Sequence, residues 1–319
     1  MKLSIVIPCY NSEKTIAKVV EESMKVIETI PDTTAEFILV NDYSPDGTYQ
    51  EIRRLAGLYP NVKGISLAKN FGQHNAIMAG LREAEGDYIM GVDDDMQTHP
   101  SQIPLFLRKM DEGADVVFGI YRERKFGFMK NFTSKIASSI LWHLVERPKG
   151  LESSNYWCCR KYVRDEIIRY DGYNLYLQML FFRTTGNIVN IEIEHFERAS
   201  GSSNYTFKKL MRLFMSFMNF SVVPLRLATI LGGVFSVTGF VVAVVIIVYK
   251  IISPDVAVGW PSLMCTMLIL FGITFLILGI IGEYLGKVIL KQSRTPQYVI
   301  RDTVNIEEQD SLESSGQNG

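Results

Sequence analysis

The chain has 319 residues, of which 47% are apolar and 21% charged, and its formal net charge is −1 at pH 7. This apolar content excludes a chain that is disordered throughout, and the balance of 33 basic against 34 acidic residues excludes an overall basic field for holding nucleic acid. The four cysteines lack paired metal-ligand spacing and do not form a disulfide framework, so we predict buried thiols.

Short apolar runs alternate with helical patterns over the first 200 or so residues. The runs predict strands at Leu3–Pro8, Glu36–Val40, Val62–Leu67, Tyr88–Val92 and Val116–Ile120. The patterns between them predict helices at Thr15–Thr29, Thr48–Leu58, Gln73–Ala84 and Ser101–Met110. This alternation predicts an α/β fold with a mostly parallel sheet and helices on both faces. Ligands of such sheets bind beyond the carboxyl ends of the strands, so a site is expected there.

Three consecutive carboxylates, Asp93, Asp94 and Asp95, follow the fourth predicted strand. Like charges this close repel by about 1 kcal/mol in water, and by more near protein, unless a cation is present. Alternate residues of an extended segment point the same way, so Asp93 and Asp95 can share a ligand while Asp94 points elsewhere. We therefore predict Mg²⁺ or Mn²⁺ held by Asp95 and Asp93 together with substrate phosphates. The alternative is a solvated acidic loop or a helix cap.

Two long stretches without charged side chains follow, Leu227–Tyr249 and Val256–Gly282. At about 1.5 Å per residue, each reaches the roughly 30 Å of a bilayer core, which predicts two transmembrane helices. A hydrophobic hairpin buried in a soluble core is the alternative. Basic residues flank the pair on its outer sides and the connection carries only Asp255, so both termini should face the cytoplasm.

An amphipathic pattern precedes the first stretch, between Tyr205 and Asn219, with a basic stripe opposite large apolar residues. Such a helix suits the cytoplasmic headgroup layer. A second amphipathic stretch, Lys130–Leu144, suits plain packing as well as membrane contact. The polar end of the chain, from about Asn305, predicts disorder.

The motifs at the strand ends resemble the family 2 glycosyltransferases of the GT-A fold. They are Pro8-x-Tyr10-Asn11, Asn41-Asp42-x-Ser44-x-Asp46-Gly47-Thr48 and Asp93-x-Asp95-x-Gln97-x-x-Pro100. Further along, the sequence is similar to the polyprenyl-phosphate glycosyltransferases, such as dolichyl-phosphate mannose synthases, bactoprenol glucosyltransferases and undecaprenyl-phosphate aminoarabinose transferases. The segments that carry this similarity are Phe196-Glu197-Arg198-x-x-Gly201-x-Ser203-x-Tyr205 and Gly282-Glu283-Tyr284-Leu285-Gly286.

The resemblance implies roles for the residues at matching positions. It implies nucleotide binding by Pro8, Tyr10, Asp42 and Asp93, metal binding by Asp95 and Asp93, and catalytic roles for Asp93, Asp95, Gln97 and Arg198. Phosphate contacts, to the donor or to the lipid, are expected from Arg122, Arg198, Ser203, Tyr205 and Lys208. The structural alternatives are that Pro8 only ends a strand, that Asp42 and Asp46 only form a turn or cap a helix, and that Tyr205 only anchors an interfacial helix.

Two positions depart from the family pattern. Ser12, followed by Glu13, stands where many relatives carry an acid. Ser154 stands where many relatives have an Asp suggested as a base, when Arg160 is aligned with their pattern. A phosphate monoester is already anionic at neutral pH, however, and can attack without a base once it is positioned and its charge is shielded.

The expected activity is inverting transfer of a sugar from a nucleotide sugar, expected to be a UDP-sugar, to a polyprenyl phosphate, expected to be undecaprenyl phosphate. The product would serve cell-envelope glycan or lipid modification at a bacterial inner membrane, with the bilayer and a homo-oligomer as further partners and no nucleic acid. The alternatives are a catalytically inactive membrane scaffold with a sugar-nucleotide fold and a processive polysaccharide synthase. The latter usually carries a Gln-x-x-Arg-Trp motif, which this sequence lacks.

The expected organisation has six parts. It comprises a cytoplasmic GT-A catalytic domain at 1–204, an interfacial helix at 205–222, spans at 223–252 and 260–286 joined by an extracytoplasmic loop at 253–259, and a cytoplasmic tail at 287–319, disordered at its end.

Overall fold

The computed structural model describes residues 1–121, 150–172, 176–194, 259–292 and 296–306, and isolated positions between 234 and 252. Contacts divide the chain into two compact units. The first comprises Met1–Gly127, Arg147–Asn204 and Pro296–Gly319, and the second comprises Phe128–Glu146 and Tyr205–Thr295.

The first unit is built on an eight-stranded sheet with the order β7-β5-β6-β4-β1-β2-β3-β8. Its strands are β1 Lys2–Cys9, β2 Thr34–Asn41, β3 Val62–Leu67, β4 Tyr88–Gly91, β5 Val116–Tyr121, β6 Trp157–Arg160, β7 Ile188–Ile193 and β8 Ile300–Val304. The first five lie where the apolar runs predict them. β1 pairs in parallel with β2 and β4, β2 with β3, and β5 with β7, which confirms the mostly parallel α/β sheet. Strands β6 and β8 are antiparallel to their neighbours.

Helices cover both faces of the sheet, as predicted. They are α1 Ile16–Glu28, α2 Thr48–Leu58, α3 Gln73–Glu83, α4 Ile103–Asp111, α5 Lys161–Ile167 and α6 Leu177–Thr184, and a short 3-10 turn, Pro100–Gln102, precedes α4. Alternate residues of the central strands point to opposite faces. On one face of the sheet, Ile5 and Ile7 share a core with α1, α2 and α4. On the other face, Val6 shares a core with α3, α5 and α6. Both faces of the central strands are therefore buried, which explains their nearly continuous apolar runs.

Strand β6 fits beside β4 because Gly91 has no side chain. Gly91 pairs with Trp157, and a Cβ atom at Gly91 would lie 2.4 Å from the indole ring. The antiparallel pairing brings the residues that precede β6 to the carboxyl end of β4. The sequence pattern does not predict β6. This strand extends the candidate site beyond β4.

Strand β8 comes from the far end of the chain and closes the edge of the sheet beside β3. The side-chain amide of Asn305 donates to the backbone carbonyls of Ala56 at 2.7 Å and Val62 at 2.9 Å. This strand was not predicted. The remaining end of the predicted disordered tail, 307–319, lies outside the described residues.

The second unit contains helix α7, Trp260–Gln292. Within the described part of the chain, no helix is found that is both long and apolar enough to cross a membrane. The second predicted span, 260–286, falls within α7, and this finding therefore gives it no support. The first predicted span, 223–252, is described only at isolated positions, and the predicted helices at 205–222 and Lys130–Leu144 lie outside the described residues.

Candidate active site

The carboxyl ends of β1, β2 and β4 meet at a cleft of about 380 Å³. Pro8 and Tyr10 line it from β1, Asp42 from β2, and Asp93 and Asp95 from β4. Tyr10 is half-exposed, at 49%, so its ring is open to a ligand. All five residues were predicted for nucleotide or metal binding, and the sheet brings them to one edge.

The loop after β4 is held in place by hydrogen bonds between its backbone N–H groups and its own side chains. The backbone N–H of Asp93 donates to the hydroxyl of Thr98 at 2.9 Å, and the backbone N–H of Gln97 donates to Asp95 Oδ1 at 3.1 Å. Met96, between them, has a positive φ of 64° and a buried side chain. The loop therefore folds back on itself and keeps Asp93 and Asp95 at the cleft. Gln97, predicted to be catalytic, is not among the described residues that line this cleft.

The middle carboxylate, Asp94, also lines the cleft and connects two motifs. Its Oδ2 atom accepts a hydrogen bond from the backbone N–H of Tyr10 at 3.0 Å and a short one from the hydroxyl of Ser12. Burial raises the pKa of Asp94, and these hydrogen bonds oppose the rise. Ser12, the departure from the family pattern, thus serves as a partner of Asp94.

Asp42 is buried, at 4% exposure, and both of its carboxylate oxygens are used by the backbone. Oδ1 accepts from the N–H of Phe71 at 2.7 Å and Oδ2 from the N–H of Gly72 at 2.8 Å. Gly72 has a φ of +88°, which favours glycine, and it directly precedes α3. Burial raises the pKa of Asp42 although the two N–H donors oppose this. Asp42 therefore fixes the loop that forms one wall of the cleft.

Asp46 and Glu13 have structural partners. Asp46 Oδ1 accepts from the backbone N–H and the hydroxyl of Thr48, the first residue of α2. These hydrogen bonds form a turn before the helix, whose N-cap is Gly47. Glu13 Oε2 accepts from the backbone N–H of Gly47 at 3.2 Å.

Three amide side chains next to the carboxylates were missed by the sequence interpretation. Gln73 Nε2 donates to Asp93 Oδ1 at 2.9 Å, Asn155 Nδ2 donates to Gln73 Oε1 at 3.4 Å, and Gln178 Nε2 donates to Asn155 Oδ1 at 3.2 Å. Gln73 and Asn155 line the cleft. The neighbouring Ser154 donates its hydroxyl to the backbone carbonyl of Tyr156 at 2.8 Å. The cleft is thus lined by an amide at this point, and no sequence motif marks it.

Arg122, Arg198, Ser203, Tyr205 and Lys208 lie outside the described residues.

A divalent cation fits the chemistry of the cleft, because carboxylate oxygens are the ligands that Mg²⁺ and Mn²⁺ prefer. Among the described residues, no group of three or more His, Cys, Asp or Glu side chains converges on a metal position. Asp93 and Asp95 would supply protein ligands, and substrate phosphates would supply others.

A cleft lined by carboxylates lies at the carboxyl ends of parallel strands, the position at which open α/β sheets bind their ligands. Residues 4–170 match glycosyl transferase family 2, and the chain belongs to this family.

Comparison with known proteins also covers the rest of the chain. The undecaprenyl-phosphate 4-deoxy-4-formamido-L-arabinose transferase of Proteus mirabilis (strain HI4320) is 30% identical over 313 residues, which cover 96% of this chain and 94% of that protein. The transferase of the same name from Photorhabdus laumondii subsp. laumondii is 29% identical over 311 residues, 95% of this chain and 94% of that protein. The resemblance to the polyprenyl-phosphate glycosyltransferases is thereby confirmed, and the chain is an enzyme of this group.

Solved structures show the same fold at lower identity. Glucosyl-3-phosphoglycerate synthase from Mycobacterium tuberculosis, in complex with Mn²⁺, uridine diphosphate and phosphoglyceric acid, matches with a TM-score of 0.51 at 20% identity. The match covers 69% of this chain and 76% of that chain.

Proposed function

We propose that the enzyme transfers a sugar from a UDP-sugar to undecaprenyl phosphate, with inversion at the anomeric carbon. The observation that supports this proposal most directly is the cleft, where Asp93 and Asp95 lie beside Pro8, Tyr10 and Asp42, the residues predicted to bind the nucleotide. The near full-length similarity to two undecaprenyl-phosphate sugar transferases supports the acceptor. The solved synthase that holds Mn²⁺ and uridine diphosphate on this fold supports UDP and a divalent metal.

The strand order suggests how the nucleotide sugar would be oriented along the edge of the sheet. The order β6-β4-β1-β2 places Asp42 three strand spacings from the residues that precede β6. At about 4.8 Å per spacing this is roughly 14 Å, about the length of an extended nucleoside diphosphate sugar. We place the base and ribose by Pro8, Tyr10 and Asp42, and the diphosphate by Asp93 and Asp95, so that the sugar lies towards β6.

Asp93 and Asp95 would hold Mg²⁺ or Mn²⁺, which, when bound, neutralises the negative charge that grows on the departing diphosphate. Asp95 keeps its place through the backbone N–H of Gln97, so Gln97 has a positioning role in addition to the sugar or phosphate contact that we propose for its side chain.

The acceptor phosphate needs no general base, because it is anionic at neutral pH. The hydroxyl of Ser154 donates to a backbone carbonyl, and its neighbour at the cleft is the amide of Asn155. Neither group can act as a carboxylate base. We propose that Arg198, Arg122 and Lys208, with Ser203 and Tyr205, bind the phosphates and shield their charges from each other. A direct displacement by the acceptor oxygen then gives inversion.

We propose that the chain is anchored in the bilayer by spans at 223–252 and 260–286, with the catalytic domain, 1–204, and both termini in the cytoplasm. The support comes from the sequence, because Leu227–Tyr249 and Val256–Gly282 carry no charged side chain and basic residues flank the pair on its outer sides. Such an anchor would keep the enzyme at the membrane that contains its lipid acceptor, while its nucleotide-sugar donor is soluble.

The test is sugar transfer to undecaprenyl phosphate in detergent, with a panel of UDP- and GDP-sugars and Mg²⁺ or Mn²⁺. We expect one UDP-sugar to react and Asp95→Asn to lower the rate by at least about a hundredfold, since it removes a charged ligand at the diphosphate. Asp32→Asn is the matched control, because Asp32 has a positive φ of 49°, which asparagine also adopts, and it lies in the turn before β2. Wild-type protein that transfers no sugar from any donor would favour the inactive scaffold. Products longer than one sugar would favour the polysaccharide synthase.

A further inference from the structure

The three amides beside Asp93 form one directed chain of hydrogen bonds. Each amide nitrogen donates towards Asp93, from Gln178 to Asn155, from Asn155 to Gln73, and from Gln73 to the carboxylate. The chain joins three separate elements, namely α6, the segment before β6 and the first residue of α3. Its polarity is set by Asp93, because a carboxylate accepts hydrogen bonds and donates none when ionised.

This polarity decides what the amides can offer a ligand. The carbonyl oxygen of Asn155 accepts from Gln178 and that of Gln73 accepts from Asn155. Each of the two NH₂ groups carries two hydrogens and uses one of them in the chain. Asn155 and Gln73 line the cleft, so they present N–H donors to it.

Gln178 lies behind the cleft and is buried, at 4% exposure. The Oε1 atom of Gln178 has no hydrogen-bond partner among the described residues. Among these residues, the side chain of Gln178 hydrogen-bonds through its nitrogen, which donates to Asn155 Oδ1. The ring of His74 meets the ring of Tyr176 edge-on, with centroids 4.9 Å apart, and this contact ties α3 to the start of α6. The two helices that carry Gln73 and Gln178 are therefore in contact through packed side chains.

The strand order places Asn155 at the end of the cleft farthest from Asp42, and Gln73, whose backbone follows the Gly72 bound by Asp42, reaches Asn155 through its side chain. Gly91 pairs with Trp157 at the end of an antiparallel ladder, so the segment that precedes Trp157 lies at the carboxyl end of β4, where Gln73 joins Asn155 to Asp93. Asp42 lies on the other side of β1, at the base and ribose end. A ligand group beyond the diphosphate would meet Asn155 and Gln73.

We propose that Asn155 and Gln73 bind hydroxyl oxygens of the donor sugar, and that Gln178 is a positioning residue that orients Asn155. This inference rests on the proposed function and adds the part of the site that selects the sugar. Neutral N–H donors suit a hydroxyl oxygen, and they are held in place before the ligand arrives, which lowers the entropy lost on binding.

The experiment separates the sugar from the rest of the donor. Binding of UDP with Mn²⁺ is measured by calorimetry, and the KM values for the reacting UDP-sugar and for undecaprenyl phosphate are measured in detergent. Asn155→Leu, which keeps about the same volume without the N–H donors, and Asn155→Ala should each raise the KM for the UDP-sugar about tenfold or more, while the Kd for UDP changes less than about twofold. The unchanged UDP affinity also reports that each variant is folded.

Two further measurements distinguish binding from a structural role. A UDP-sugar that lacks the contacted hydroxyl should be a poor substrate for the wild type, and Asn155→Ala should not make it worse. Gln178→Leu should raise the KM for the UDP-sugar, and the double variant with Asn155→Ala should be no worse than Asn155→Ala alone, because Gln178 acts through Asn155. Asn61→Ala is the matched control, since Asn61 donates to the backbone carbonyl of Ala35 away from the cleft.

The inference is overturned if the Asn155 variants keep the wild-type KM for the UDP-sugar, or if they raise the KM for undecaprenyl phosphate instead, which would assign the amides to the acceptor. Loss of UDP binding in both variants would also overturn it, because the amides would then hold the nucleotide end. A wild-type protein that turns over no sugar nucleotide contradicts the proposed function, whereas turnover with unaffected variants contradicts this inference alone.

Discussion

The carboxylate of Asp94 accepts a hydrogen bond from the hydroxyl of Ser12, a residue 82 positions away in the sequence. The same oxygen accepts from the backbone N–H of Tyr10, so one side chain joins the loop after β1 to the loop after β4. Of three adjacent aspartates, the middle one therefore has a structural partner in the first motif. The two loops that would hold the nucleotide and the metal are connected through it.

We expect Asp94→Ala to weaken nucleotide binding and to destabilise the fold. The substitution leaves the donors of Tyr10 and Ser12 without their acceptor, at a cost of about 1–3 kcal/mol. For a domain of this size, each kcal/mol lowers Tm by roughly 2–4 °C. Thermal unfolding and UDP calorimetry measure the two effects, with an expected rise in Kd of about tenfold. Ser12→Ala, which removes one of the two donors, should show a smaller loss of stability. Wild-type UDP affinity in Asp94→Ala would refute the connection.

Asp42→Asn should loosen the wall of the cleft that precedes α3. Phe71 and Gly72 donate to different oxygens of Asp42, and an asparagine replaces one of these oxygens with an NH₂ group, which cannot accept from the N–H that faces it. One backbone N–H then loses its acceptor, at about 1–3 kcal/mol. Hydrogen exchange measured by mass spectrometry should rise in peptides that contain residues 70–75 and stay unchanged in β5. Exchange equal to the wild type in both regions would show that Asp42 does not hold this loop.

The central fold could be predicted because its strands are buried on both faces. β1 and β2 contain the apolar runs Ile5–Ile7 and Phe37–Val40, and the helices that follow them carry the 3.6-residue period, so the existence and order of these elements follow from pattern alone. Strand β6 is four residues long and contains two cysteines and an arginine, and it is a strand only because Gly91 makes room for Trp157. Such pairing depends on contacts between distant parts of the chain, which periodicity does not report.

The candidate site was predictable to the same extent and for the same reason. Asp93, Asp95 and Asp42 follow recognisable strands, so the sheet edge brings them together. Asn155 precedes a strand that the pattern does not reveal, and an isolated asparagine in a polar segment has no chemical signature. Its place beside Asp93 follows only from the register of β6 on β4. Gln73 was assigned to a helix, and its contact with Asp93 joins residues 20 positions apart.

His74 should make the fold sensitive to mild acid. Burial lowers the pKa of His74 to about 4, and its Nδ1 atom has no partner among the described residues. An unfolded histidine titrates near 6.5, so between about pH 6.5 and pH 4 the unfolded state binds more protons and stability falls as the pH falls. We expect the wild type to lose about 2 kcal/mol more than His74→Gln between pH 6.5 and pH 4.5. Parallel Tm curves for the two proteins over this range would contradict the prediction.

Strand β8 should contribute to stability as a cover for the edge of the sheet. An exposed strand edge presents unpaired N–H and C=O groups, and β8 satisfies those of β3. Removal of residues 296–319 should therefore lower Tm and promote aggregation, which size-exclusion chromatography in detergent detects.

Asn305→Asp tests the attachment of β8 to the sheet by replacing a single hydrogen-bond-donating nitrogen with an oxygen. Aspartate tolerates the positive φ of 56° at this position but cannot donate to Ala56 and Val62, so two partly buried carbonyls lose this donor. We expect a loss of about 1–3 kcal/mol, seen as a lower Tm with unchanged UDP affinity, because Asn305 is not among the residues that line the cleft. Removal of only 307–319 is the control and should leave Tm unchanged. If that shorter truncation lowers Tm as much as removal of 296–319 does, the stabilising contact lies beyond β8 and the role assigned to the strand is wrong.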